Sequence, residues 1–116
     1  MFDIEGIQKK IKEFALAREW EQFHTPKNLS MALSIETSEL MELFQWLTTE
    51  ESQEIMQTNK ADQVRHEMAD VAVYLFRLAD VLGINLIDAI HEKMKLNAEK
   101  YPVEKSKGHA RKYDEI

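Results

Sequence analysis

Tight turns are scarce in this sequence. Three glycines and two prolines in 116 residues leave too little turn chemistry for a sheet of many short strands, so the chain is expected to fold from long helices. The first spans about residues 3–20, where Ile4, Ile7, Ile11, Phe14 and Ala15 recur at spacings of three and four. Its acids have local cations, with Glu5 four residues before Lys9. The stretch WEQFHTPKN then breaks the pattern: Pro26 disfavours helix at Thr25, and Asn28 is a candidate cap. A second helix is expected over 29–47 and a third over 61–82, with a polar segment and one short helical piece between them. The middle of the third, MADVAVYLF, is apolar nearly all round, which fits the centre of a bundle. Gly83 can close it in a left-handed cap. A fourth helix over 86–100 stops before Pro102, and residues 102–116 are expected to form an extended basic tail. The expectation is an all-α chain, an antiparallel four-helix bundle forming a single domain over 1–116.

Charge narrows the function. The formal net charge is −6, which argues against a nucleic-acid partner, since such binding needs a basic footprint. Hydrophobic residues at 44% and charged residues at 31% suit a globular core. The lack of cysteine removes disulfides, thiolate metal sites and thiol nucleophiles. No basic-then-apolar leader opens the sequence and no run of about 18 apolar residues occurs. A cytoplasmic protein with no membrane partner is therefore expected.

Some acids of the second and third helices lack the partners seen in the first. Glu36, Glu39 and Glu42 lie three apart, with no Lys or Arg between Leu29 and Leu47. At about 100° per residue each is offset by roughly 60° from the next, so they share one broad face. The third helix repeats the pattern with Glu67 and Asp70, whose neighbours are mostly apolar. A carboxylate among apolar residues must be paired, protonated or metal-bound. Two acidic pairs on neighbouring helices are a hard oxygen donor set that suits Mg²⁺, with Mn²⁺ as a possible substitute. Such an ion can position a phosphate, polarise it and lower the pKa of an attacking water. For any single Glu-x-x-Glu, a solvated helix face is the ordinary alternative.

The distal part of the sequence is basic. Residues 93–112 hold seven Lys and Arg against two Glu, a segment able to meet a polyphosphate or simply to solvate a tail. Lys93, Asn97 and Lys100 share one helix face. Trp20, Phe23, Trp46, Tyr74 and Tyr101 are candidates for stacking on a base, or for core packing. Tyr74 lies four after Asp70 and Trp46 seven after Glu39, so both can share the acidic faces. His24, beside the Pro26 loop, can contact a base or cap a helix.

These residues resemble the all-α nucleoside triphosphate pyrophosphohydrolases of the MazG type, closest to the dCTP pyrophosphatase branch and to short bacterial MazG-like proteins. The likeness rests on ETSE and EMAD together with REWEQFHTPKNL, ELMELFQW, KMKLNAEKYPV and KGHARKYDE. ETSE stands where many members show a glycine-flanked GExGE, and Ile11 where the dCTP-preferring branch can carry a polar residue. The resemblance implies Mg²⁺-dependent cleavage between the α and β phosphates, with release of a monophosphate and pyrophosphate. It implies metal ligation by Glu36, Glu39, Glu67 and Asp70, with Glu36 or Glu39 as first choice for general base. Base or sugar contacts would fall on Trp20, His24, Trp46 and Tyr74, and phosphate contacts on Lys93, Asn97, Lys100 and Tyr101, with Arg111 and Lys112 beyond them. It also implies a homotetramer, a dimer of dimers, whose sites are completed by a neighbouring subunit.

Two other classes compete. A di-iron or di-manganese carboxylate bundle needs two Glu-x-x-His motifs and two more glutamates, whereas the chain has only one such motif, Glu21–His24, near Pro26. A non-catalytic helical metal- or partner-binding protein explains the bundle but not partnerless acids alongside a basic segment.

Overall fold

The computed structural model describes residues 3–116, and all regular structure among them is helical. The chain divides into two compact units that meet in sequence at Gly83 and Ile84.

The first unit contains α1 (Ile4–Ala17), α2 (Pro26–Glu42), a five-residue helix α3 (Thr49–Gln53) and α4 (Ala61–Leu82). Each start has a local cause. Asp3 Oδ1 accepts the Glu5 N–H at 3.0 Å at the head of α1. Thr25, not Asn28, caps α2: its Oγ1 accepts the Asn28 N–H at 3.2 Å, and Pro26 takes the first helical position. The second helix therefore begins three residues earlier than periodicity alone predicts. It also ends earlier, at Glu42, because Leu43 and Phe44 donate three residues back, to Leu40 and Met41, and tighten the chain into turns. Thr48 and Glu51 form a reciprocal capping box on α3. At the end of α4, Gly83 adopts φ 68°, the left-handed cap expected of it.

Within this unit α2 lies along α4 and α1 packs on α4. Gln8 Nε2 on α1 donates to the Phe76 carbonyl of α4 at 3.1 Å. The fully buried apolar residues are Ala15, Leu29, Ile55, Val64 and Ala79, a small core. Large apolar side chains remain exposed on the isolated chain, among them Ile35 at 57% and Trp46 at 87%. Glu5 and Lys9 form no ion pair; those among the described residues are Arg65–Asp62 and two made by Arg77.

The second unit contains α5 (Leu86–Lys100) and the four-residue α6 (Val103–Ser106). Asn85 Oδ1 caps α5 through the Asp88 N–H at 3.1 Å. The stretch after Pro102 is not uniformly extended: α6 and a 3₁₀ turn at Tyr113–Glu115 interrupt it. Tyr113 meets Tyr101 edge-on at 6.2 Å and takes the Lys100 ammonium 4.9 Å from its ring centre, which folds the tail back onto α5. No helix among the described residues is long and apolar enough to cross a membrane.

Candidate functional site

The packing of α2 along α4 brings the two acidic pairs together. Carboxylate oxygens of Glu36, Glu67 and Asp70 lie within 4.8 Å of one another. Glu39, one turn beyond Glu36, is exposed but close enough to act on both Glu36 and Glu67. Burial, then the Glu39, Asp70 and Glu67 charges, push the Glu36 carboxyl up to about 7. Glu67 is raised by burial first and by Glu39 and Asp70 next. The described residues pair no Lys or Arg with any of the four acids. Neighbouring hydroxyls do not help either: Thr37 and Ser38 donate back to the Leu33 and Ser34 carbonyls of their own helix.

Two oxygens in this cluster, Glu36 Oε2 and Glu67 Oε2, are buried without a hydrogen-bond partner. A buried, unsatisfied carboxylate oxygen is costly, and here the cost falls on the residues with the most suitable donor atoms for a hard divalent ion. The all-oxygen set fits Mg²⁺ or Mn²⁺ and does not fit a thiolate- or imidazole-seeking metal.

Next to the acids lies a cavity of about 520 Å³ that reaches Asp70. Ile7, Ile11, Phe14, Trp20, Val73 and Tyr74 give it an apolar and aromatic wall, and Lys10, His24 and Arg77 add polar groups. The volume falls in the range of small-molecule sites. Phe14 and Trp20 pack edge to face at 5.8 Å. Trp20 reaches the wall because α1 ends in a left-handed turn at Glu19, φ 55°. His24 follows the 3₁₀ turn Glu21–Phe23 and sits on a loop tied down by Asn28, whose Nδ2 donates to the Phe23 carbonyl at 3.1 Å.

Of the residues expected from sequence, Trp20, His24, Tyr74 and Asp70 thus share one cavity, and Glu36, Glu67 and Asp70 one acidic cluster. Trp46 is not on the acidic face of α2; the helix stops at Glu42 and leaves the indole exposed in a turn, away from the cavity lining. Lys93, Asn97 and Lys100 share the 3–4 spacing on α5, followed by its C-cap Tyr101. Lys10, Phe14, Val73 and Arg77 were not expected in the lining. Arg77 had a signal: it is the one cation inside the apolar run VYLFRLA, with Asp80 three residues on.

Comparisons with known proteins agree with this geometry. Residues 31–116 match the MazG-like family. The chain is 40% identical over 114 residues to dCTP pyrophosphatase 1 of Mus musculus, covering 97% of this chain and 67% of that protein. It is 39% identical over 114 residues to dCTP pyrophosphatase 1 of Homo sapiens, with the same shares covered. A crystal structure of a pyrophosphatase from Archaeoglobus fulgidus superposes with a TM-score of 0.81 at 42% identity, covering 88% of this chain and 94% of that one. With its clustered helix acids, its all-helical fold and these matches, the chain belongs to the MazG-like family.

Proposed function

We propose that this chain is a nucleoside triphosphate pyrophosphohydrolase that depends on Mg²⁺, or on Mn²⁺ as a substitute, and acts on dCTP or related deoxynucleoside triphosphates. Water adds across the anhydride between the α and β phosphates, the oxygen bond to the leaving group breaks, and a monophosphate and pyrophosphate result. The observation that carries this reading is the continuity of two features at Asp70. A cluster of partnerless acids with two orphaned buried oxygens adjoins an aromatic-walled cavity sized for a nucleoside. The names of the dCTP pyrophosphatase relatives supply the choice of base.

Glu36, Glu39, Glu67 and Asp70 would hold the divalent ions. When bound, these supply Lewis-acid stabilisation of the phosphate charge and an acidified water. Glu36 or Glu39 takes the water's proton. Trp20, Tyr74 and His24 hold the base and sugar, and Lys93, Asn97, Lys100 and Tyr101 meet the phosphates.

The active form in this reading is a homotetramer, a dimer of dimers, in which residues 1–116 act as one catalytic domain. The small core and the exposed Ile35, Trp46 and Met94, the last at 61%, support an assembly that covers them. Trp46 then completes a neighbouring subunit's site. The role is nucleotide-pool house-cleaning in the cytoplasm.

The test is a panel of canonical and modified nucleotides incubated with Mg²⁺ and with EDTA, scored for both products. Monophosphate and pyrophosphate in equal amounts, abolished by EDTA, are expected. Phosphate release instead of pyrophosphate, or turnover indifferent to EDTA, overturns the reading. No turnover together with no binding of Mg²⁺ or a nonhydrolysable triphosphate favours the non-catalytic alternative.

A further inference from the structure

Arg77 is 5% exposed, the only charged residue among the described ones to be fully buried. A buried guanidinium is costly unless its charge and its donors are met. Its Nη1 lies 3.4 Å from Asp80 Oδ2 and its Nη2 3.9 Å from Glu21 Oε1. Its Nε donates to His24 Nδ1 at 3.1 Å. Two carboxylates thus offset the charge, and the Nε–H is aimed at an imidazole that lines the cavity together with Arg77 itself.

That last contact fixes the chemistry of the ring. A guanidinium donates only and keeps its protons throughout the accessible pH range. His24 Nδ1 must therefore be the lone-pair nitrogen, which places the proton of the neutral ring on Nε2. The ring's surroundings favour the neutral state: burial lowers the His24 pKa, the Arg77 charge lowers it further, and Glu21 opposes them. The backbone is fixed as well, since the His24 N–H donates to the Glu21 carbonyl at 3.1 Å and Asn28 holds Phe23.

We propose that Arg77 is a positioning residue, which locks His24 as the Nε2–H tautomer so that the cavity presents a fixed hydrogen-bond donor to a nucleobase acceptor, a ring nitrogen or a carbonyl oxygen. This rests on reading the cavity as the base pocket. A mobile imidazole with mixed tautomers would offer a donor only part of the time and would lose orientation on binding. The locked ring discriminates by leaving Nε2–H unmet when the base edge offers only a donor.

The experiment uses the full chain labelled with ¹⁵N-histidine, read by two-bond ¹H–¹⁵N correlation, with steady-state kinetics on dCTP and Mg²⁺. His24→Gln assigns the signal among the four histidines. The wild-type ring is expected to show a lone-pair Nδ1 and a protonated Nε2 at neutral pH. Arg77→Met is expected to mix the tautomers and raise KM about tenfold while kcat changes less than about threefold. Arg77→Lys, which keeps a donor but not the planar fork, should restore part of both. Where Arg77→Met does not fold, the wild-type spectrum and the lysine variant decide.

A protonated Nδ1 in the wild type overturns the inference, as does loss of the tautomer preference without a rise in KM. Equal damage to KM and kcat with an unchanged ring signal assigns Arg77 a structural role only. A wild-type chain that cleaves no triphosphate removes the enzyme reading, and the proposed ligand with it. A wild type that cleaves dCTP while Arg77→Met keeps its KM overturns the positioning role alone.

Discussion

Two turns of α4 separate a pair of charges that the protein satisfies from a pair that it does not. Arg77 and Asp80 lie three residues apart and meet each other, with Glu21 and His24 completing the network. Glu67 and Asp70 also lie three apart, and their neighbours across the helix interface are more acids. The same helix and the same spacing give opposite outcomes because one set contains a cation and the other does not. A folded chain gains nothing by crowding carboxylates. The unpaired set is the one that a positively charged ligand would satisfy, and the paired set braces the adjoining cavity.

The largest expected effect removes a donor from the unpaired set. Asp70→Asn keeps the shape but halves the side chain's capacity to ligate, and turnover of dCTP with Mg²⁺ should fall on the order of 10³-fold. Circular dichroism and the unfolding midpoint of the metal-free variant should stay at wild-type values or rise. A variant that retains turnover would put the working acids elsewhere and dissolve the contrast between the two clusters.

Stability should respond with opposite signs in the two clusters. The Glu36 carboxyl titrates near 7 in the folded chain against 4.5 for an ordinary glutamate. Between those values the folded state binds more protons than the unfolded one, so stability of the metal-free protein falls as pH rises through the window. Glu36→Gln should flatten that slope and raise stability above pH 7 by on the order of 1 kcal/mol, as read by urea unfolding with EDTA. Asp80→Asn strips a partner from buried Arg77 and should lower it by about 1–2 kcal/mol. Added Mg²⁺ at about 100 times its dissociation constant should stabilise the wild type by about 2.7 kcal/mol. Glu36→Gln should reduce that gain, and Asp80→Asn should not. Destabilisation by both substitutions would mean that the acids of α2 and α4 are held by pairing after all.

The acidic cluster was legible in the sequence because its logic is local. Spacing of three on a helix, apolar neighbours and missing cations can all be read within a few residues of Glu36 and Glu67. Tyr74 followed from Asp70 in the same way. The Arg77 network was not legible, since His24 and Glu21 lie more than fifty residues away in the chain and no periodicity connects them. Helix ends were set by competition among capping residues: Thr25 with Pro26 outcompeted Asn28 at the start of α2, and the turns after Glu42 took Trp46 off the acidic face. The tail resisted for a related reason, because its folding onto α5 depends on Tyr101 and Lys100 finding Tyr113.

The smallest effect concerns strain in place of charge, at the turn that delivers Trp20 to the cavity. Glu19 sits at φ 55°, with its N–H donating to the Leu16 carbonyl at 3.1 Å and the Trp20 N–H to the Ala15 carbonyl at 2.9 Å. This is the hydrogen-bond pattern that helices usually close with glycine. A side chain there costs about 1 kcal/mol, partly offset by the greater freedom of glycine in the unfolded chain. Glu19→Gly should therefore stabilise the protein by about 0.5 kcal/mol and raise the melting temperature by about 2 °C. Glu19→Ala keeps the Cβ and should gain nothing from the turn. Because the Glu19 side chain makes none of the turn's hydrogen bonds, which run between backbone groups or from Gln22 Nε2 to the Glu19 carbonyl, Trp20 should hold its place and KM for dCTP should stay within about twofold. A raised KM in the glycine variant would mean that the strained turn, and not packing against Phe14, fixes the indole in the wall, leaving the cavity less rigid than the Arg77 network beside it.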